Sequence, residues 1–185
     1  MIKLKTLFKK DSNHKATSEI QCLWVANDGV KAYIKRDGTA CMIKKGVLYK
    51  RYDAKINKKT GKRKTPPIGA ISCCPPDNVT GHWPHWVKCG EGDKYHAEAF
   101  NCLLDKADGT YELCGPKING NNEKLTTHVL INHKSEPINQ PLVISYSGFS
   151  GFLSELNHEG VVFYGPNNEM CKLRRVDFGF SWPNE

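Results

Sequence analysis

From Val30 onward the chain alternates short apolar runs with turn-forming residues. Ala32-Tyr33-Ile34 and Thr39-Ala40-Cys41-Met42-Ile43 flank Lys35-Arg36-Asp37-Gly38, and a third run at 47–52 follows Lys45-Gly46. β-Branched and alternating residues favour strands, and glycine after Asp37 or Lys45 suits a tight turn. The pattern therefore predicts a meander over residues 31–35, 39–44 and 47–52. Residues 98–104 and 111–114 read as two strands joined by a turn at 105–109, and 129–131 and 142–144 as further short strands. A last hairpin spans 161–164 and 170–174 across Gly165-Pro166-Asn167-Asn168. Upstream, 2–8 reads as a strand and 20–26 as a short apolar segment. Phe149, Phe152, Leu153 and Leu156 fall at i, i+3, i+4 and i+7, which predicts a helix with a core-facing side. Residues 56–65 are too polar to pack and read as a mobile loop. Strands dominate, and no internal repeat is present.

A length of 185 residues suits one domain, 1–185, with a core that needs neither disulfides nor metals. No stretch approaches the roughly 20 apolar residues of a membrane span, and Met1-Ile2-Lys3-Leu4-Lys5 lacks the apolar core of a signal peptide. A cytoplasmic protein without membrane association is expected. The eight cysteines lack the spacing of a compact secreted framework and read as reduced, mostly buried thiols. Cys74, His82, His85 and Cys89 have the element types of a zinc site, but no Cys-x-x-Cys knuckle is present and prolines interrupt the region. A structural loop packed through Trp83 and Trp86 is favoured there.

The 27 Lys and Arg against 19 Asp and Glu give a formal charge of +8. That charge fits a polyanionic partner, since cations that neutralise phosphates release counterions, but it fits a merely solvated basic surface equally well. It is clustered at Lys44, Lys45, Lys50, Arg51, Lys55, Lys58, Lys59, Lys62, Arg63 and Lys64.

Lys35-x-Asp37-Gly38 has the form of the nucleophile motif of the covalent nucleotidyltransferases, the ligases and capping enzymes. Arg51, Tyr111-Glu112-Leu113-Cys114-Gly115, Glu159-Gly160-Val161-Val162 and Lys172-Leu173-Arg174 follow in that superfamily's order. More narrowly, the chain resembles the small ATP-dependent 5′-to-3′ RNA ligase family that includes the human enzyme. The stretches are Lys35-x-Asp37-Gly38-Thr39, Gly81-His82-x-Pro84-x-Trp86-Val87, Ile118-Asn119-Gly120-Asn121, His128-x-Leu130-Ile131-x-His133 and Gly179-x-x-Trp182-Pro183. The likeness runs from about Lys35 to the C-terminus.

The resemblance implies an α+β, antiparallel-sheet nucleotidyltransferase (adenylation) domain with no appended C-terminal domain. It implies a monomeric RNA-repair enzyme that uses ATP and Mg²⁺ or Mn²⁺ to join RNA 5′-phosphate and 3′-hydroxyl ends. Lys35 would attack the α-phosphate of ATP, hold AMP and pass it to the RNA 5′-phosphate before the 3′-hydroxyl seals the strand. Lys172 and Arg174 would bring cations to the α-phosphate and lower the pKa of Lys35 by repulsion. Arg51 would bind phosphate or ribose, and Glu112 the ribose hydroxyls. Asp37, Glu112 and Glu159 would hold the metal, in part through water. Val161, Val162 and Ile34 would wall the adenine. Related ligases often carry a polar or acidic residue where this chain has Ile34. The rival readings are a minimal DNA ligase, a GTP-using capping enzyme, and an inactive homologue that binds RNA ends.

Overall fold

The computed structural model describes residues 4–182; the start of the strand expected at 2–8, and Pro183, lie outside them. The described residues form two compact units, one of residues 38–132 and one of residues 4–37 with 133–182. Their elements in chain order are β1 (Lys5–Thr6), β2 (Phe8–Lys10), β3 (Ala16–Ile20), β4 (Lys31–Lys35), β5 (Thr39–Lys44), β6 (Val47–Asp53), β7 (Ile71–Ser72), β8 (Pro84–Lys88), α1 (Lys94–Cys102), β9 (Gly109–Cys114), β10 (Val129–Asn132), α2 (Tyr146–Glu155), β11 (Gly160–Tyr164) and β12 (Met170–Arg174). The composition is mixed α+β with mostly antiparallel sheets, compatible with the α+β class expected.

In the unit of residues 4–37 and 133–182, four strands lie in the order β1-β12-β11-β4, with β1 parallel to β12 and the other pairs antiparallel. The expected hairpin of β11 and β12 is present. Its alternation sends Val161, Phe163, Cys171 and Leu173 into a core with Leu7, Phe8 and Val25, all buried. The predicted helical face is α2, whose Phe149 and Leu153 are fully buried in that core. Ser145 begins the helix by accepting from the Gly148 amide at 3.0 Å. Buried Arg175 closes the other end, donating to the carbonyls of Leu153, Ser154 (3.2 Å) and Leu156 (2.8 Å), where a helix runs out of its own donors.

Gly160 is required here for close approach. A Cβ at this position would lie inside van der Waals contact of the Leu173 carbonyl oxygen and 2.8 Å from the Arg174 Cα, both parts of rigid backbone. Gly160→Ala is expected to destabilise the protein by about 3 kcal/mol, at the upper end of overpacking costs, because no flexible side chain can yield. Chemical denaturation checks this; an unchanged midpoint would show that the strands part freely.

In the unit of residues 38–132, six strands lie in the order β10-β9-β5-β6-β8-β7. Lys45 and Gly46 have φ of 51° and 71°, so β5 and β6 form the predicted two-residue hairpin. Cys41, Ile43, Leu48, Tyr111, Leu113 and Leu130 make the core on one face of the sheet, joined by Ala99 of α1. Asp93 ties down the start of α1, accepting from Lys50 at 2.5 Å and from the Gly90 amide at 2.9 Å.

Four local expectations are corrected. First, β4 and β5 are not a hairpin: β4 pairs with β11, while β5 pairs with β6 and β9 in the other sheet. Gly38 accordingly lacks a positive φ. Its bare Cα admits neighbours, since a Cβ would lie 2.8 Å from Glu112 Cγ and 2.9 Å from Cys114 Sγ. Second, most of the strand expected at 98–104 is helix α1, where Tyr95 and Ala99 are four apart, one helical turn. Third, residues 142–144 are not a strand. The Ser145 amide turns back to the Val143 carbonyl at 2.8 Å, and Val143 packs where Gly148 has no side chain. Fourth, residues 56–65 are internally bonded, with Asn57 N–H donating to the Lys62 carbonyl at 2.8 Å and an antiparallel bridge between Ile56 and Arg63.

Candidate active site

The nucleophile candidate ends β4. In register, Lys35 lies opposite Gly160 and Gly160 opposite Arg174; Tyr33 lies opposite Val162 and Val162 opposite Lys172. Directly paired residues share a face and successive residues alternate, so Tyr33, Lys35, Val162, Lys172 and Arg174 occupy one side of the sheet. Ile34, Val161 and Leu173 occupy the other. Val161 is fully buried in the core, so Val162, not Val161, is the valine on the lysine face. Of the three residues that the resemblance places around adenine, Val162 shares the lysine's side of the sheet and Val161 and Ile34 take the other.

Lys35 Nζ forms an ion pair with the Glu159 carboxylate, and both side chains are about four-fifths buried, with 21% and 17% exposed. Burial pushes the Glu159 carboxyl above its ordinary range, and the nearby Asp37 charge adds to this, against the opposing pull of Lys35 and Arg174. Lys172 is pushed down to about 8, chiefly by burial and then by the positive charges of Arg174 and Lys35, with Glu159 and Asp177 pulling the other way. The face thus holds three cations against the carboxylates of Glu159 and Asp37.

Asp177, three residues beyond Arg174 and almost fully buried, was not singled out by sequence motifs. It accepts from Arg174 Nη2 at 2.8 Å and Nε at 3.2 Å, and from Lys10 Nζ at 2.6 Å. Arg174 is therefore held by Asp177. The acid at i+3 from an arginine was the available signal. Arg36 is similarly held, donating from Nε to Glu136 at 2.8 Å, with Nη1 3.2 Å from His158 Nδ1. The Ile34 amide donates to the Glu136 carbonyl at 3.0 Å, so the residues on either side of Lys35 are tied to Glu136, one through its backbone and one through its side chain. No sequence spacing pointed to Glu136, a hundred residues away.

Arg51 and Glu112 belong to the unit of residues 38–132. Glu112 pairs with Ala40 and Ile131, and Arg51 with Trp86, which puts Arg51 and Glu112 on the face of the six-stranded sheet opposite its α1-covered core. Asn119 Nδ2 donates to the Gly38 carbonyl at 2.7 Å. Asn119, Gly120 and Asn121 all have positive φ (46°, 76° and 57°), a run that asparagine and glycine tolerate best, which explains this motif stretch physically. His128, from another motif stretch, serves packing: its ring stacks on Tyr95 with centroids 4.4 Å apart and its Nδ1 lies 2.9 Å from Glu98 of α1.

Among the described residues, no three His, Cys, Asp or Glu gather into a set that could hold a metal ion. Asp37 and Glu159 are close enough to interact, while Glu112 lies in the other unit. Of the zinc-type residues, His82 pairs with Asp53 and His85 Nδ1 bonds the Trp83 carbonyl at 2.8 Å. Trp83 Nε1 donates to the Cys74 carbonyl at 3.0 Å, and Trp86 is buried.

No protein-family model matches the sequence. Over 89 residues the chain is 28% identical to a Danio rerio protein named RNA ligase 1, a match covering 44% of this chain and 27% of that relative. The chain thus matches about a quarter of that relative's length. No helix among the described residues is long and apolar enough to cross a membrane.

Proposed function

We propose that this chain provides the adenylation chemistry of an ATP-dependent RNA ligase. The observation that carries this reading is the pairing of Lys35 with Glu159 on the sheet that also presents Lys172. The partial likeness to a protein named RNA ligase 1 gives it independent support. Glu159, whose carboxyl burial makes a better proton acceptor than an exposed glutamate, takes one proton from the paired Lys35 ammonium and frees the Nζ lone pair. Lys35 Nζ then attacks the α-phosphorus of ATP, an N–P bond forms, and the bond to the pyrophosphate oxygen breaks. The second proton that Nζ sheds as the bond forms passes to the departing pyrophosphate or to water. Lys172 offsets the negative charge on the α-phosphate oxygens, and Arg174, held by Asp177, adds to the local positive potential. Mg²⁺ commonly takes one or two carboxylates and completes its shell with substrate phosphates and water. Asp37 and Glu159 fit that pattern, and the ion would supply further charge neutralisation when bound. By resemblance, Arg51 serves phosphate or ribose and Glu112 the ribose hydroxyls.

AMP then moves from Lys35 to an RNA 5′-phosphate, and a 3′-hydroxyl displaces it. Incubation with ATP is expected to seal 5′-phosphorylated RNA and to leave 5′-hydroxyl RNA unjoined. Sealing of nicked DNA alone would move the protein to the DNA ligases, and a covalent label from GTP alone would move it to the capping class. RNA binding without any label would make it an inactive homologue.

A further inference from the structure

Residues 55–64 carry six cations, Lys55, Lys58, Lys59, Lys62, Arg63 and Lys64, and no acid. Together with the loop at 78–82, this hairpin encloses a concavity of about 680 Å³. Lys55, Lys58 and Lys64 line it, with Ile56, Val79 and Thr80 supplying apolar and hydroxyl surface. Arg63 turns inward, donating to the carbonyls of Ala54 (3.2 Å) and Gly81 (3.1 Å), with its guanidinium carbon 5.8 Å from the Trp83 ring centroid. It thereby fastens the hairpin to the sheet.

The five lysines carry the exposed charge of the hairpin. All are exposed, and among the described residues none of them forms an ion pair. Asp77, the acid nearest in the facing loop, turns its oxygens to Thr80 and to the amide of Val79. Like charges on a braced hairpin repel one another, and among the described residues no ion pair relieves them. The ligand that relieves them is an anion with several charges in a row.

We propose that this concavity binds the phosphodiester backbone of a single-stranded RNA segment, a docking surface separate from the adenylation residues. The proposal rests on the RNA-ligase reading above. Lysines distributed over ten residues of hairpin match successive phosphates better than the clustered phosphates of one nucleotide. A concave surface suits a strand better than it suits a flat bilayer. Exposed Val79 offers apolar contact to a base between phosphate contacts.

The test compares wild type with Lys55→Gln/Lys58→Gln/Lys64→Gln and with the matching triple arginine variant. Binding of a fluorescent 5′-phosphorylated RNA 12-mer is measured across a salt series, beside ATP-dependent adenylylation and binding to phosphatidylserine vesicles. The glutamine variant is expected to bind RNA at least tenfold more weakly at 100 mM salt. Its log–log salt slope should be shallower by about two, since each phosphate contact on a single strand contributes about 0.7. The arginine variant should bind as wild type, and all three proteins should accept AMP equally, which also shows that they are folded. Unchanged RNA affinity and slope in a variant that still accepts AMP would overturn the docking surface and leave the ligase reading standing. Loss of vesicle binding with RNA binding intact would overturn it in favour of a membrane surface. Failure of wild type to accept AMP would instead strike the function proposed above, and the RNA titration would still decide the docking surface.

Discussion

Lys35→Ala and Lys35→Arg are both expected to lose all ATP-dependent adenylyl label and all RNA sealing while remaining folded. Alanine removes the amine. Arginine keeps a cation for Glu159, but its guanidinium stays protonated at any working pH and cannot act as the nucleophile. The two variants should differ in stability. With alanine, the Glu159 carboxylate loses its cation in a largely buried setting, at a cost of about 1.5–3 kcal/mol, the range for hydrogen bonds to charged groups. Part of that is recovered because Glu159, already pushed up by burial, can take a proton. Arginine should sit closer to wild type. Autoradiography after incubation with α-labelled ATP, alongside thermal denaturation, checks both halves; label on either variant would remove Lys35 from the nucleophile's role.

Lys172→Ala should slow adenylylation about 10²- to 10³-fold, the usual loss when a group that stabilises transition-state charge is removed. The pH dependence gives a sharper test. Lys172 loses its proton near pH 8, so it is charged below that value and neutral above it. Phosphate binds the charged form better, and ATP affinity in wild type should fall as pH rises through about 8. In Lys172→Arg the positive charge persists, and that fall should disappear. Equal pH profiles in the two proteins would mean that Lys172 does not face the nucleotide.

The local periodicities that specified buried faces were legible in the sequence. The i, i+3, i+4, i+7 set of α2 and the hairpins β5–β6 and β11–β12 could be read directly, because the signal of each lies in neighbouring residues. The link from β4 to β5 could not. Asp37-Gly38 has the composition of a hairpin turn, but β4 gains its partner 125 residues later, at β11, and local sequence carries no trace of that pairing. Helix α1 was misread because a short segment with few β-branched residues gives little periodicity to count, and its fastening comes from Lys50 and His128 in other elements.

The candidate site divides the same way. Motif order found Lys35, Glu159 and Lys172, which adjacent strands bring together. Motif order does not say that Val161 and Val162 take opposite sides of the sheet, since that depends on where the core lies. It also passed over Asp177 and Glu136, which fix the arginines next to the proposed chemistry.

The central claim is that one lysine, Lys35, becomes covalently adenylylated. Intact mass of the protein after incubation with ATP and Mg²⁺, followed by peptide mapping, tests it most directly, with GTP in a parallel sample. The expected result is a gain of one AMP, mapped to Lys35 and absent with GTP. An adduct on another residue, or no gain with either nucleotide, would contradict it.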